Sequence, residues 1–228
     1  RASAPDRSGA LQQFLDLLQW GPQGWADELA AGTLVTLGLS VATLPLGVAV
    51  GFFVALARQS TDPLVRSSAH IYSTLFRGIP ELLTLFVVYY GAQFAISSIS
   101  NAVFGRPFEI SPFIAGMVAL GLVLSSYAAE VFLSAFRSIP VGQYEAAHAV
   151  SLSRPQMMRL VILPQLIRIA LPALSNLWLA LMKDTALVSV ITLNDLLRQT
   201  SVAVSATKEP FFFYAVACLI YLALSILS

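Results

Sequence analysis

Residues 31–57 carry no charged side chain. Hydrocarbon offers no water to satisfy a bare N–H or C=O, so an apolar stretch of that length can only fold as a helix or join a closed barrel. Runs of roughly 20 apolar residues recur along the chain, the length of a crossing helix and twice that of a barrel strand. Composition agrees. The 228 residues are 57% hydrophobic and 11% charged, where a soluble domain carries about 25% charged residues. Mean hydropathy is +0.77. The expected fold is an all-α membrane protein with about five transmembrane helices. A net charge of +1 gives no footing for nucleic acid. Cys218 is the single cysteine and lies in an apolar run, so there is no disulfide framework. The sequence shows no Gly-rich phosphate loop, no His/Cys metal cluster and no Ser/His/Asp grouping in a plausible frame. No catalytic residue, metal ligand or cofactor site is expected in this chain, and the energy for any work must come from elsewhere.

Taken in order, residues 1–30 are mixed. Leu11, Phe14, Leu15, Leu17 and Leu18, with Trp20 and Trp25, suit a helix lying at the membrane interface. The first span is expected at 31–57, with Pro45 as a possible kink and Gly47 and Gly51 as a small-xxx-small contact pair. Asp62 is placed to cap the next helix, with Pro63 at its first position. Residues 64–96 are too long for one plain span and break at Arg77-Gly78-Ile79-Pro80. A broken helix at membrane depth is tolerated only against protein or a water-filled cavity, and in transporters such breaks mark the pathway. A polar loop is expected at 97–110, a third span from Ser111-Pro112 to about Phe136, and a fourth at 157–182 containing Pro164 and Pro172. Residues 186–193 are apolar but too short to span, which suits a re-entrant or gating segment. A polar, partly helical piece follows at 194–208, then the fifth span from 211. The chain begins at Arg1 and ends at Ser228 inside an apolar run. The natural protein is expected to extend beyond both.

The most informative stretch is polar. Residues 144–164 read YEAAHAVSLSRPQMMRLVILP. Glu145-Ala146-Ala147 suits a short helix, and Ser153-Arg154-Pro155-Gln156 reads as a capping box with Pro in the first turn of another. This pattern resembles the cytoplasmic EAA loop of ABC-importer permeases: Glu145, Ala146, Ala147, Val161, Leu163 and Pro164 fall in place. One position departs, because Ser151 stands where the family has Gly, and a sharp turn there must be made by a residue that avoids positive φ. Two further segments agree. Residues 76–91, FRGIPELLTLFVVYYG, resemble the Phe-Arg-Gly-x-Pro segment of polar amino acid permeases. Leu181, Lys183, Asp184, Thr185, Leu187, Val188, Ser189 and Ile191 match the family's Lys-Asp-Thr segment.

The resemblance implies a type I importer permease with a coupling loop at about 138–156, following an N-terminal segment at 1–30 and lying within a transmembrane domain at 31–228. It implies that Glu145, Ala146, Ala147, Ser151 and Arg154 engage the groove of a cytoplasmic P-loop ATPase dimer, which holds ATP and Mg. A second permease subunit, identical or homologous, and a periplasmic binding protein are implied as partners. So is the bacterial inner membrane as location. On charge alone the orientation is undecided, so placing the EAA loop inside rests on the resemblance.

Ionisable groups at membrane depth are costly and usually functional. Arg77, Glu81 and Glu130 stand out. Arg77 reads as structural, paired with Glu81 or Glu130. An acidic residue after the Pro, here Glu81, is similar to the permeases for histidine, lysine, arginine, ornithine and the opines. A carboxylate facing a cavity gives a cationic cargo a charge-assisted partner. Glu81, Glu130, Asp184 and the backbone at Gly78 are therefore the candidate substrate contacts. For Lys183 and Asp184 a local salt bridge is the competing reading, and for Glu130 it is balancing Arg77. His148 is expected on the surface facing the ATPase, and His70 in packing. Two rival functions remain: an ion-coupled secondary transporter in which Glu81 or Glu130 takes a proton, and a membrane scaffold with no transport role.

Overall fold

The computed structural model describes residue 12 and residues 16–228. Leu11, Phe14 and Leu15 lie outside the described residues. The elements are α1 (Ala26–Arg58), α2 (Pro63–Gly78), α3 (Glu81–Phe104), α4 (Pro112–Ser138), α5 (Val141–Ala149), α6 (Arg154–Met157), a π-helical turn (Met158–Ile162), α7 (Leu163–Asp184), a 3-10 helix (Thr185–Ile191), α8 (Leu196–Thr207) and α9 (Pro210–Leu227). Five stretches are long and apolar enough to cross a membrane: α1, α3, α4, Arg154–Ile191 and α9.

Several boundaries differ from expectation. The first span starts at Ala26 because Asp27 and Glu28 sit in its first turn, where the positive end of the helix dipole favours them. The second span is α3 alone; α2 is a separate 16-residue helix outside the candidate spans. The loop expected at 97–110 is mostly helix. Its serines bond locally, Ser98 Oγ donating to the Phe94 carbonyl at 2.7 Å and Ser100 Oγ to that of Ser97 at 3.2 Å. Gln93 ties down the true loop, donating to the Phe108 carbonyl and accepting from Ile110 N–H, both at 2.9 Å. The π turn precedes Pro164. A ring without an N–H disturbs the preceding turn, and here Leu163 N–H reaches the Met158 carbonyl instead of the one four back.

The chain divides into two compact units, Ser40–Leu181 and Arg1–Leu39 with Met182–Ser228. In the first, α4 is the most buried helix, with Ala115, Ala119, Ala128 and Ala129 among its inward residues. Lipid tails are as apolar as a protein core, so close contact of small residues holds such helices together. A Cβ on Gly51 would lie 2.6 Å from Ala128 Cβ and 2.8 Å from the Ser125 carbonyl, and one on Gly47 would lie 2.5 Å from the Leu124 side chain. The small-residue pair is a real contact with α4. In the second unit Leu29, Leu196, Ala203 and Phe213 form the core, with Leu17, Leu18 and Trp25 packed against it.

Candidate functional site

The break after α2 follows from its residues. Ile79 precedes Pro80, which disfavours helical backbone at Ile79; it is extended at φ −95° and ψ 135°. Pro80 then leads α3 and Glu81 is that helix's first residue. Glu81 is half-buried and makes no hydrogen bond or ion pair among the described residues. Gly78 is exposed, and a Cβ there would meet nothing within 4 Å. No packing constraint demands glycine at this point. Thr84 lies one turn beyond Glu81 on the same face. It is buried, and its Oγ1 has no hydrogen-bond partner. Sequence reasoning missed Thr84, because a lone Thr in an apolar helix gives no signal.

Glu130 is differently placed. Its Oε1 receives the Arg58 guanidinium and, at 2.7 Å, Arg77 Nη2. Arg77 also donates from Nε to the Ser73 carbonyl at 3.1 Å. Nearby, the Tyr72 hydroxyl meets Ser125 Oγ at 2.6 Å, fastening α2 to α4. Arg77 pairs with Glu130 and not with Glu81, so the balancing role is what the geometry supports for Glu130. Arg58, one residue beyond the span expected at 31–57, completes the cluster from the last turn of α1. His70 is exposed, not packed inside, and its Nδ1 stands 3.4 Å from Arg58 Nη2.

Asp184 belongs to the other unit and ends α7 where the chain tightens into the 3-10 helix. Lys183 is exposed and Asp184 half-buried, and neighbours in a helix point about 100° apart and do not face each other, which disfavours a direct bridge between them. The 3-10 helix buries Thr185, Val188 and Ile191. Asp195 is a residue the sequence reading passed over. It is fully buried, caps α8 through Oδ1 to Arg198 N–H at 3.0 Å, and leaves Oδ2 without a partner. Burial pushes its carboxyl up to about 6. A Cβ on Gly32 would lie 2.9 Å from the Asp195 carbonyl oxygen, and Leu196 N–H donates to Thr36 Oγ1 at 3.2 Å.

The polar stretch forms the helix, break and helix that its residues predict. Glu145 and Ala146 are exposed, as are His148, Ser151 and Arg154, whereas Ala147 is buried. Ala147 joins a core with Phe136, Ile139, Met157 and Ile162. Burying its single methyl contributes only about 0.8 kcal/mol, so the short α5 is seated by the cluster as a whole, with Tyr144 and Leu152 packed against it. Gln165 Nε2 also donates to Gln143 Oε1 at 3.0 Å. Half-burial raises the Tyr144 hydroxyl pKa. The end of α5 closes by two reverse bonds, Ser151 N–H to the His148 carbonyl at 2.9 Å and Leu152 N–H to that of Ala147 at 3.1 Å. Together they make a Schellman motif, whose central residue must be left-handed. Ser151 fills that place at φ 60°, the conformation a serine was expected to avoid. The hydrogen bonds outweigh the steric cost of its Cβ. Ser153 then caps α6, its N–H donating to Gln156 Oε1 at 2.9 Å.

Residues 47–228 match the family described as binding-protein-dependent transport system inner membrane component. The nopaline transport system permease protein NocQ of Agrobacterium fabrum is 38% identical over 94% of this chain and 92% of its own length. The histidine/lysine/arginine/ornithine transport system permease protein HisQ of Escherichia coli is 35% identical over 90% of each. The arginine ABC transporter permease protein ArtQ of Escherichia coli is 37% identical over 88% of this chain and 90% of its own. Among solved structures, an amino acid ABC transporter with histidines superposes with a TM-score of 0.75 at 32% identity, covering 89% of both chains. The MetNI methionine ABC transporter, at 17% identity and a TM-score of 0.65 over 87% of this chain and 90% of its own, shares the fold.

Proposed function

The chain belongs to the binding-protein-dependent transport system inner membrane components, and we propose that its cargo is a cationic amino acid or an opine. As a permease subunit of an ABC importer it is a multi-pass transport component and not an enzyme, and it works with an ATPase and a binding protein. The relatives are ABC permeases, which disfavours the ion-coupled and scaffold readings.

The observation that carries the cationic cargo is the contrast between two carboxylates. Glu130 already faces two guanidinium groups, whereas Glu81 stands at the start of α3 with no partner. A half-buried, unpaired carboxylate is costly unless a cation visits it. The side-chain cation of arginine, lysine or histidine supplies that charge, and Thr84 Oγ1 offers a further polar contact on the same face. Gly78 and Asp184 remain candidate contacts, each on its own unit, Asp184 for an α-amino group. The relatives that carry arginine, histidine or nopaline by name support the reading.

In this proposal the binding protein delivers cargo on the periplasmic side of a bacterial inner membrane. Two ATPase subunits hold ATP and Mg and close on each other. Glu145, Ala146 and Arg154 pass that motion into the spans, which alternate access to the cargo. The permease pairs with a second permease subunit, identical or homologous to it.

Proteoliposomes holding both permeases, the ATPase and the binding protein test the reading. ATP-driven uptake of labelled arginine and histidine is expected to fall at least tenfold in Glu81→Gln while the complex assembles normally. Unchanged uptake removes Glu81 from the path and with it the support for a cationic cargo.

A further inference from the structure

Within the larger unit, a pocket of about 510 Å³ is lined by Arg58, Arg66, Ser67, His70 and Arg137 on its polar side. Its charge is unbalanced. The only carboxylate within ion-pair distance of these arginines, among the described residues, is that of Glu130, and Arg58 already shares it with Arg77. Arg66 reaches only the Ser60 carbonyl, at 3.4 Å. Helix dipoles explain a cation in the last turn of α1 and of α4, where Arg58 and Arg137 sit. They do not explain Arg66, which lies in the first turn of α2, where a cation opposes the dipole.

Position narrows the ligand. Arg58 and Arg137 each stand at the end of a candidate span, the level at which lipid headgroups lie. The same pocket has an apolar wall from Ile71 and Leu133. Ile71 is 65% exposed, and Leu64 and Leu75 on the same helix are exposed at 76% and 50%. A basic recess bordered by outward-facing aliphatic side chains matches a molecule with an anionic head and hydrocarbon tails. It does not match a small soluble anion, which has no use for the aliphatic border. We propose that this pocket binds the phosphodiester headgroup of an anionic phospholipid, with Arg66 and Arg137 as its principal ligands and the acyl chains along Leu64, Ile71 and Leu75. Ser67 and His70 offer the hydrogen-bonding groups a glycerol headgroup needs. Because α4 leads directly into α5, the lipid sits beside the segment that couples to the ATPase.

The test reads lipid retention and needs no transport. The complete transporter, ATPase included, is titrated in detergent with phosphatidylglycerol or phosphatidylcholine, and bound lipid is measured by native mass spectrometry. Each basic residue near a headgroup contributes a factor of about five, so Arg66→Gln with Arg137→Gln should weaken phosphatidylglycerol binding roughly thirtyfold and leave phosphatidylcholine unchanged. The Arg66→Lys, Arg137→Lys pair should keep most of the binding, which separates lost charge from lost folding. Equal retention in wild type and the Gln pair overturns the proposal. Full displacement by millimolar inorganic phosphate overturns it in favour of a soluble anion. Binding only after the ATPase is stripped away overturns it in favour of a surface that the partner covers.

Discussion

Arg77 Nη2 lies 2.7 Å from Glu130 Oε1, the same oxygen that receives the Arg58 guanidinium. One carboxylate thus joins the ends of α1 and α2 to the middle of α4. Glu130→Gln leaves two cations facing each other with no anion between them. Its side chain is 35% exposed, so the cost falls between surface and buried values, about 2 kcal/mol. The unfolding temperature of the assembled transporter should drop, and adding Arg77→Gln should recover part of the loss. An unchanged unfolding temperature contradicts this role.

Ala146 and Ala147 are adjacent in sequence and opposite in exposure. Ala146→Arg should abolish ATP-driven uptake while unfolding changes by less than about 0.5 kcal/mol, the range of surface substitutions. Ala147→Arg should do both kinds of damage, because the new side chain must displace Phe136 or Met157 from the core beneath α5. Uptake and thermal unfolding, measured together, distinguish the two. If Ala146→Arg transports normally, the exposed face of α5 is not the coupling surface.

Ser151 holds a left-handed conformation at φ 60° that glycine adopts without penalty. Ser151→Gly should therefore stabilise the protein by about 1 kcal/mol and leave uptake intact. Ser151→Val should destabilise it, since a β-branched residue at positive φ is a genuine outlier. A lower unfolding temperature for the glycine variant counts against the Schellman geometry.

Asp195 lies between the candidate spans, and its carboxyl is pushed up from the ordinary 3.8 to about 6 by burial. A carboxyl raised on folding stabilises when protonated. That contribution is fully present below about pH 4 and is lost as pH rises through about 6. The span of the effect is about 3 kcal/mol. Asp195→Asn keeps the N-cap and removes the charge, so its stability should be flat over that range and above wild type at pH 8. Thermal melts of both proteins from pH 4 to 8 give the comparison, and parallel curves exclude Asp195 as the titrating group.

Part of the expected site is accounted for by local rules. The capping box at Ser153, the break at Ile79-Pro80 and the short helix at Glu145 depend on residues within one or two turns. The same locality misled the reading at 97–110. There a run of serines resembles a loop, yet their hydroxyls bond carbonyls of their own helix. At Ser151 a general preference against positive φ lost to two specific hydrogen bonds.

About five crossings of a bilayer, the break at Ile79-Pro80 and the polar segment that resembles a coupling loop were all legible in the residues alone. Those features come from apolar length and from hydrogen bonds closed within a turn. The charge partners come from long-range packing. Arg58 and Glu130 stand 72 positions apart, and no local pattern selects between Glu81 and Glu130 as the partner of Arg77. Packing of α1 and α2 on α4 makes that selection, through glycines too small to hold the helices apart. The same packing gathers Arg58, Arg66 and Arg137 around one pocket and leaves Glu81 alone at its break.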